Sequence, residues 1–317
     1  MSPGSKNRPG ESEERLLSHR RKNLRIRALM VQAIRDFFVR RGYVEVETPV
    51  LIPAPAPELH IDAVEAPPMY LHTSPELCMK RLLAAGYERI FQMCKCFRQG
   101  ERGELHLPEF TILEWYRTHA GYEDFMYECE ALLQAVAGEL NRSPTVKYQG
   151  KILDLEGPWE RITVHEAFER YADLSLDEAM ERGCFDACML EEIEPHLGIG
   201  KPTFLYDYPA SMAALSRLKP SDRSVAERFE LYMGGVELAN AFSELTDAVE
   251  QRKRFQHERA ERKKLGKEAY PVPEKFLEAL GLMPEAGGIA LGIDRLAMIF
   301  SDSRTIDEVV AFTPEEL

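Results

Sequence analysis

The stretch that most constrains this chain runs from Phe229 to Glu244, Phe-Glu-Leu-Tyr-Met-Gly-Gly-Val-Glu-Leu-Ala-Asn-Ala-Phe-Ser-Glu. Two apolar runs, Arg228 to Gly234 and Val236 to Glu244, meet at Gly234-Gly235 and read as strands. A carboxylate inside an apolar strand is costly unless it is paired or bound to a cation. Any one of Glu230, Glu237 and Glu244 alone fits an edge strand with its acid in water. Together, with Asn240 between, they make a cation site plausible. Side chains alternate along a strand, so Glu237 and Glu244, an odd number apart, share a face only across a bulge. Glu230 is offset likewise, across the glycine pair.

The remaining pattern supplies partners for those strands. Arg20 to Arg41 predicts an amphipathic helix with Ile26, Met30, Ala33, Ile34, Phe37 and Phe38 on one stripe, closed by Gly42. Tyr43 to Thr48 alternates as a strand and stops at Pro49, before a proline-rich loop (Pro53, Pro55, Pro57). Pro75 opens a helix reaching Ala85, Arg89–Arg98 and Glu109–Arg117 read as strands, and Glu123–Leu140 as a helix. Residues 141–200 read as a peripheral helical insertion, and Phe204–Tyr208 as a strand. A charged helix, a short helix near Glu274–Leu280 and a strand-to-helix join at Gly287–Phe300 close the chain. Hairpin-linked strands followed by helices predict an α+β fold, an antiparallel sheet of six or more strands flanked by helices. The expected organisation is a disordered tail over 1–18 and one domain over 19–317.

Composition excludes several classes. The chain has 317 residues, 44% hydrophobic and 29% charged, and no run of 18 apolar residues, so no membrane helix is expected. The first residues lack the apolar core of a secretory signal, and six cysteines without a paired C-x-x-C fit reduced thiols in the cytoplasm. Cys94-x-Cys96 has no second Cys or His pair at knuckle spacing. A net charge of −13 argues against a dedicated nucleic-acid binder. The local exception, Gln251 to Lys267 with eight Lys/Arg and two Glu, reads first as a solvated helix face.

Two further segments carry chemistry. In Cys96-Phe97-Arg98-Gln99-Gly100-Glu101-Arg102-Gly103-Glu104-Leu105-His106-Leu107-Pro108-Glu109-Phe110, an arginine held at a strand end can grip two phosphate oxygens. The loop after it can fold over a nucleotide, and Phe110 offers a face to a purine. In Gly287-Gly288-Ile289-Ala290-Leu291-Gly292-Ile293-Asp294-Arg295, glycines before a helix allow a ligand close to the backbone, with Arg295 projecting there.

Taken together, these segments resemble the class II aminoacyl-tRNA synthetases, and among them the lysyl-tRNA synthetase branch, from about Arg20 to the carboxyl end. The helix and strand ending at Pro49 resemble the first motif, which in that family forms a homodimer interface. The Arg98 hairpin resembles the second motif and Gly292-Ile293-Asp294-Arg295 the third. Glu237-Leu238-Ala239-Asn240-Ala241-Phe242-Ser243-Glu244 is similar to the strand lining the lysine pocket. The resemblance implies ATP held by Arg98, Gln99, Gly100, His106, Leu107, Phe110, Glu237, Leu238, Gly292 and Arg295, with Arg98 on the α-phosphate and the amino-acid carboxylate. Arg295 and His106 reach the γ-phosphate, and Phe110 stacks on adenine. Glu230 and Glu237 hold Mg2+. Lysine is held by Ser74, Pro75, Glu76, Glu114, Tyr116, Asn240, Phe242, Glu244 and Ala290, its side-chain ammonium on Tyr116 and Glu244. Gly100 stands where the family places an adenine-reading Glu, so Glu101 or a backbone group takes over that role, and Leu107 replaces a usual Asn.

The chemistry agrees with such a site. Adenylation is an in-line attack of a carboxylate on phosphorus, so two anions must be brought together by arginines and magnesium. The carboxylate is already ionised at neutral pH, and no general base is needed. Only about 19 residues precede the first helix, too few for an anticodon-binding barrel. This resembles the lysyl-tRNA synthetase paralogs that transfer (R)-β-lysine to a lysine of elongation factor P, making that protein, rather than tRNA, the expected acceptor. Ser74 stands where synthetases commonly have Ala, and Ala290 where they have Gly. Each changes the pocket floor by roughly one heavy atom, worth about 1–3 kcal/mol of preference.

Overall fold

The computed structural model describes residues 13–141 and 143–317. The chain opens with α1 (Glu13–Arg40), then β1 (Val44–Glu45), β2 (Leu51–Ile52), β3 (Glu65–Ala66), β4 (Met69–Leu71), α2 (Glu76–Ala84), β5 (Arg89–Phe97), β6 (Glu109–Thr118) and α3 (Tyr122–Asn141). A hairpin, β7 (Thr145–Tyr148) and β8 (Lys151–Asp154), precedes β9 (Glu160–Thr163), α4 (Val164–Tyr171), α5 (Leu176–Arg182) and α6 (Phe185–Cys188). Then come β10 (Thr203–Pro209), β11 (Leu218–Lys219), β12 (Asp222–Met233), β13 (Val236–Ser243), α7 (Ala248–Lys264), α8 (Glu274–Leu280), β14 (Ala286–Gly292) and α9 (Ile293–Ser301).

Six strands, in the order β5-β6-β14-β13-β12-β10, form the expected antiparallel sheet. The whole sheet has nine strands and is mixed, because β1 joins β5 and β9 joins β10 in parallel, and β11 adds to β12. Those three short strands, two to four residues each, leave little periodicity to read. For the same reason the expectation of a helical insertion over 141–200 is corrected: it begins with a hairpin and a sheet strand before its helices. The tail expectation is corrected in part, since helix runs from Glu13; residues 1–12 lie outside the described residues.

Alternation along β6 divides the sheet into a core face and a site face. Leu113 and Trp115 are fully buried against α1, α3 and α9, where Met30, Ile34, Phe38, Phe125, Leu132, Leu296 and Ile299 complete the core. The α1 stripe read from sequence is this packed face. Phe38 lies with its ring centroid 4.9 Å from Phe91, stacked, and 5.1 Å from Trp115, contacts worth about 0.5–1.5 kcal/mol each beyond buried area. Ile112, Glu114 and Tyr116 point to the opposite face. Gly42 closes α1 at φ 74°, which glycine adopts without strain.

The charged helix α7 is tied into the fold more than a solvated face would be. Arg262 is buried, donating to the carbonyls of Glu58 (2.7 Å), Ile61 (3.0 Å) and Glu268 (2.7 Å) and to Asp62 Oδ1 (2.7 Å). It fixes the loop after the proline-rich segment against the sheet. Arg252 pairs with Glu274, and Arg254 donates to the carbonyls of Ala214 and Ser216.

Candidate active site

Strand register assembles the site in rows. Glu114, Ala290, Asn240 and Glu230 stand side by side on β6, β14, β13 and β12, and Tyr116, Gly288, Phe242 and Arg228 form the next row. A bulge supplies the face change that the spacing requires. Leu231 pairs with Ala239 but Tyr232 with Glu237, so Leu238 is the extra residue. A cavity of about 240 Å³ lies over these rows. Of the residues expected at the site, Ser74, Glu76, Arg98, His106, Leu107, Phe110, Glu114, Glu237, Leu238, Asn240, Phe242, Ala290, Gly292 and Arg295 line it. Pro75, Gln99, Gly100, Tyr116, Glu230 and Glu244 are not among its lining residues.

At one end the cavity is cationic. Arg98 has a buried Nε with no hydrogen-bond partner among the described residues; its guanidinium lies 4.9 Å from the Phe110 ring centroid, and its NH1 is 3.7 Å from Glu101. A buried guanidinium nitrogen left without an acceptor is unfavourable unless a ligand anion completes it. Arg295 donates to the Glu237 carbonyl (2.8 Å), to Glu237 Oε2 (3.0 Å) and to the Leu105 carbonyl (3.3 Å), and its NH2 is 2.6 Å from His106 Nε2. It thus clasps the loop after Arg98 onto β13. Burial and the Arg295 charge hold His106 below the ordinary histidine range, so its Nε2 accepts from Arg295. Gly100 turns at φ 78°, a strained conformation for a glutamate, and Glu101 instead lines the cavity.

At the other end it is strongly acidic. Ser74 Oγ donates to Glu114 Oε1 (2.6 Å) and Tyr116 Oη to Glu114 Oε2 (2.7 Å), while the Glu76 amide donates to Ser74 Oγ (3.0 Å). Burial and the neighbouring Glu76 push Glu114 up to about 8. Burial, against the pull of Lys80, also raises Glu244. Lys80 was not anticipated. Its buried ammonium lies 2.5 Å from Glu244 Oε2 and also bonds Glu76. Burial opposes its charge, but Glu244 and Glu76 outweigh burial and hold its pKa above the usual ammonium range. Glu244 therefore meets an internal lysine, with its buried Oε1 still unpartnered among the described residues. Glu76 and Glu244 share this one internal cation, while Glu114 beside them is held, among the described residues, only by the hydroxyls of Ser74 and Tyr116.

Gly287 and Gly288 serve the protein's own side chains, contrary to the expectation of ligand approach, whereas Gly292 lines the cavity with nothing closer than 3.8 Å to the place a Cβ would take. A Cβ on Gly287 would lie 2.3 Å from Phe125 Cε2, and one on Gly288 would lie 2.2 Å from Tyr116 Cε1 and 2.3 Å from Glu244 Oε1.

The carboxylates expected to hold magnesium come together on β12 and β13. Glu230 accepts from Tyr208 Oη (2.6 Å), Tyr232 Oη (2.8 Å) and Arg228 (2.7 Å). Burial and then Glu237 raise Glu230, and Glu194, unread in the sequence, is raised by burial and by both acids. These like charges repel one another, and among the described residues the oxygens of Glu230 are taken by Arg228, Tyr208 and Tyr232 and one oxygen of Glu237 by Arg295. Sequence reasoning also missed Glu58, which lines the cavity and is lifted to about 7 by burial and Glu76. Its loop showed only prolines as a signal. A second cavity of about 770 Å³ shares Glu58, Ile61, Leu215, Asn240 and Phe242 with the first.

The family model described as tRNA synthetases class II (D, K and N) matches residues 14–316. The chain belongs to that class II synthetase family. Curated relatives of this class II synthetase include proteins named elongation factor P–(R)-β-lysine ligase. That of Proteus mirabilis (strain HI4320) is 40% identical over 307 residues, covering 92% of this chain and 94% of that one. That of Hamiltonella defensa is 41% identical over 313 residues, covering 92% and 95%. That of Erwinia tasmaniensis is 40% identical over 324 residues, covering 92% and 94%. No described helix of this class II synthetase is long and apolar enough to cross a membrane.

Proposed function

We propose that this chain is an ATP-dependent ligase that activates (R)-β-lysine, or lysine, as its adenylate and transfers it to a lysine side chain of elongation factor P. The observation that carries the reading is the charge balance of the pocket. Three carboxyl groups share the single ammonium of Lys80, and burial holds Glu114 and Glu244 towards their protonated forms, so a ligand that brings further ammonium groups lets them ionise. A lysine isomer brings two ammonium groups, and its carboxylate goes to Arg98, whose buried Nε is unsatisfied. An analogue without the second amine would leave a buried carboxylate unpaired, which rejects it strongly. The relatives' names supply the acceptor and the β-isomer.

In this mechanism Arg98 draws the substrate carboxylate and the α-phosphate together, and the in-line attack expels pyrophosphate. Arg295 and His106, already in contact, receive the far phosphates once ATP replaces their mutual bond. Magnesium, held by Glu230 and Glu237 beside Glu194, would supply positive charge to the departing pyrophosphate. Transfer forms an amide as the acyl–phosphate bond of the adenylate breaks and AMP leaves, and it needs a neutral amine, although a lysine ammonium ordinarily titrates near 10.4. Glu58, on the wall between the two cavities, receives its proton, and the larger cavity is the acceptor's approach. We place the enzyme in the cytoplasm as a homodimer, with Leu29, Val39, Val44 and Leu51 exposed along α1, β1 and β2 as the contact face.

Pyrophosphate exchange with each lysine isomer tests activation, and absence of exchange with both contradicts it. Labelling of elongation factor P against tRNA tests the acceptor.

A further inference from the structure

A cluster beside the amino-acid pocket, on the same face of the sheet, has no part in this chemistry. Cys94 and Cys96 lie two residues apart on β5 and share a face, and His72, directly after β4, reaches over them. The two Sγ atoms are 4.0 Å apart, and His72 Nε2 lies 4.0 Å from Cys94 Sγ and 3.7 Å from Cys96 Sγ. A tetrahedral ion with metal–sulfur bonds of about 2.3 Å and metal–nitrogen bonds of about 2.1 Å separates its ligands by about 3.8 Å (S to S) and about 3.6 Å (S to N). All three edges of the cluster fall within about 0.4 Å of that triangle. His72 and Cys96 are buried and Cys94 half-buried, so a bound ion would be shielded from water. Gln92, the next residue on this face, is buried, bonds Cys94, and keeps an Oε1 with no partner among the described residues.

We propose that His72, Cys94 and Cys96 form a site for a borderline-soft cation, zinc above all, that is separate from the magnesium carboxylates. Two thiolates and an imidazole select zinc over magnesium by ligand softness. Without the ion, His72 Nε2 lies 2.7 Å from the Lys95 carbonyl and donates to it. Loading moves that proton to Nδ1 and releases one proton from each thiol, with no change of oxidation state. The fourth position falls to the Lys95 carbonyl, Gln92 Oε1 or water. His72 is two residues before Ser74, and β5 leads directly into Arg98. A coordinated ion would therefore pin the segment entering the lysine pocket to the strand that carries the phosphate-binding arginine. The sequence shows only an isolated C-x-C, because the third ligand lies more than 20 residues upstream and is brought in by the fold.

The test is a titration of the reduced, metal-free full-length chain with Co2+ and then Zn2+, without ATP or magnesium. One cobalt per chain should bind, giving a thiolate-to-cobalt charge-transfer band and intense tetrahedral visible bands. Zinc should abolish both and raise the thermal midpoint. Cys96→Ser and His72→Gln should each weaken zinc binding by about 100-fold or more, judged against second-shell losses of about 10–100-fold. Absence of a charge-transfer band in the unmodified chain, with its thiols shown to be reduced, overturns the proposal without any variant. Zinc affinity unchanged in Cys94→Ser/Cys96→Ser overturns it equally.

Discussion

Gly288 lies between Tyr116 on β6 and Phe242 on β13, and its missing side chain is the space into which Tyr116 and Glu244 lean. In Gly288→Ala the new Cβ would stand 2.2 Å from Tyr116 Cε1 and 2.3 Å from Glu244 Oε1. Contacts in folded proteins begin near 3 Å, so both buried side chains must retreat by about 1 Å in a close-packed site. Overpacking of this kind costs about 1–3 kcal/mol of stability. The functional cost is larger, because Tyr116 orients Glu114 and Glu244 pairs with Lys80. A misplacement of about 1 Å in a positioning group costs about 100-fold in rate. Pyrophosphate exchange with varied lysine and with varied ATP, beside a urea unfolding curve, separates the effects. The expected result is a kcat/KM for lysine reduced about 100-fold, an ATP KM within about threefold of the parent, and a chain that remains folded. An unchanged lysine KM, or a loss confined to ATP, would refute the assignment of Tyr116 and Glu244 to the amino-acid pocket.

Glu244→Gln removes a buried charge partner, a loss of about 2–5 kcal/mol, so lysine activation should fall at least about 30-fold while ATP binding, read by calorimetry, persists. Equal loss of both would move Glu244 to the metal site. The raised pKa of Glu114 sets a pH dependence. Below about 8 the ligand-free carboxyl keeps its proton and offers no charge to an ammonium, so the KM for lysine should fall as pH rises towards 8. Glu114→Gln should flatten that profile. The unfolded carboxyl releases its proton near 4.5 and the folded one near 8, so the ligand-free chain should lose stability across that window. Glu58→Gln should slow transfer to the acceptor by about 100-fold, as loss of a proton acceptor does, and leave pyrophosphate exchange intact. Equal slowing of both steps would remove Glu58 from the transfer step.

Much of the fold was legible because its sheet is built from long strands with strong periodicity, such as Arg89–Phe97 and Val236–Ser243. The odd spacing of Glu237 and Glu244 even announced the bulge at Leu238. What escaped depends on contacts between distant segments. Lys80 reads as an ordinary helix residue until α2 packs its ammonium onto Glu244, 164 positions away in sequence. Glu58 acquires its character from a loop that buried Arg262 fastens in place. Glu194 lies in a segment of short helices whose lengths leave no period to detect. Gly287 and Gly288 were read as room for a ligand, whereas their space is filled by Phe125, Tyr116 and Glu244; only Gly292 opens onto the cavity.

The central claim, that the pocket is built for a second amine and serves a protein acceptor, is tested most directly by one two-stage labelling measurement. The enzyme, ATP and magnesium are incubated with labelled (R)-β-lysine, α-lysine or norleucine, and then divided between elongation factor P and tRNA. The account predicts pyrophosphate release with both lysine isomers, none with norleucine, and label on a lysine of elongation factor P alone. Activation of norleucine comparable to lysine, or label appearing on tRNA and not on the protein, would contradict it.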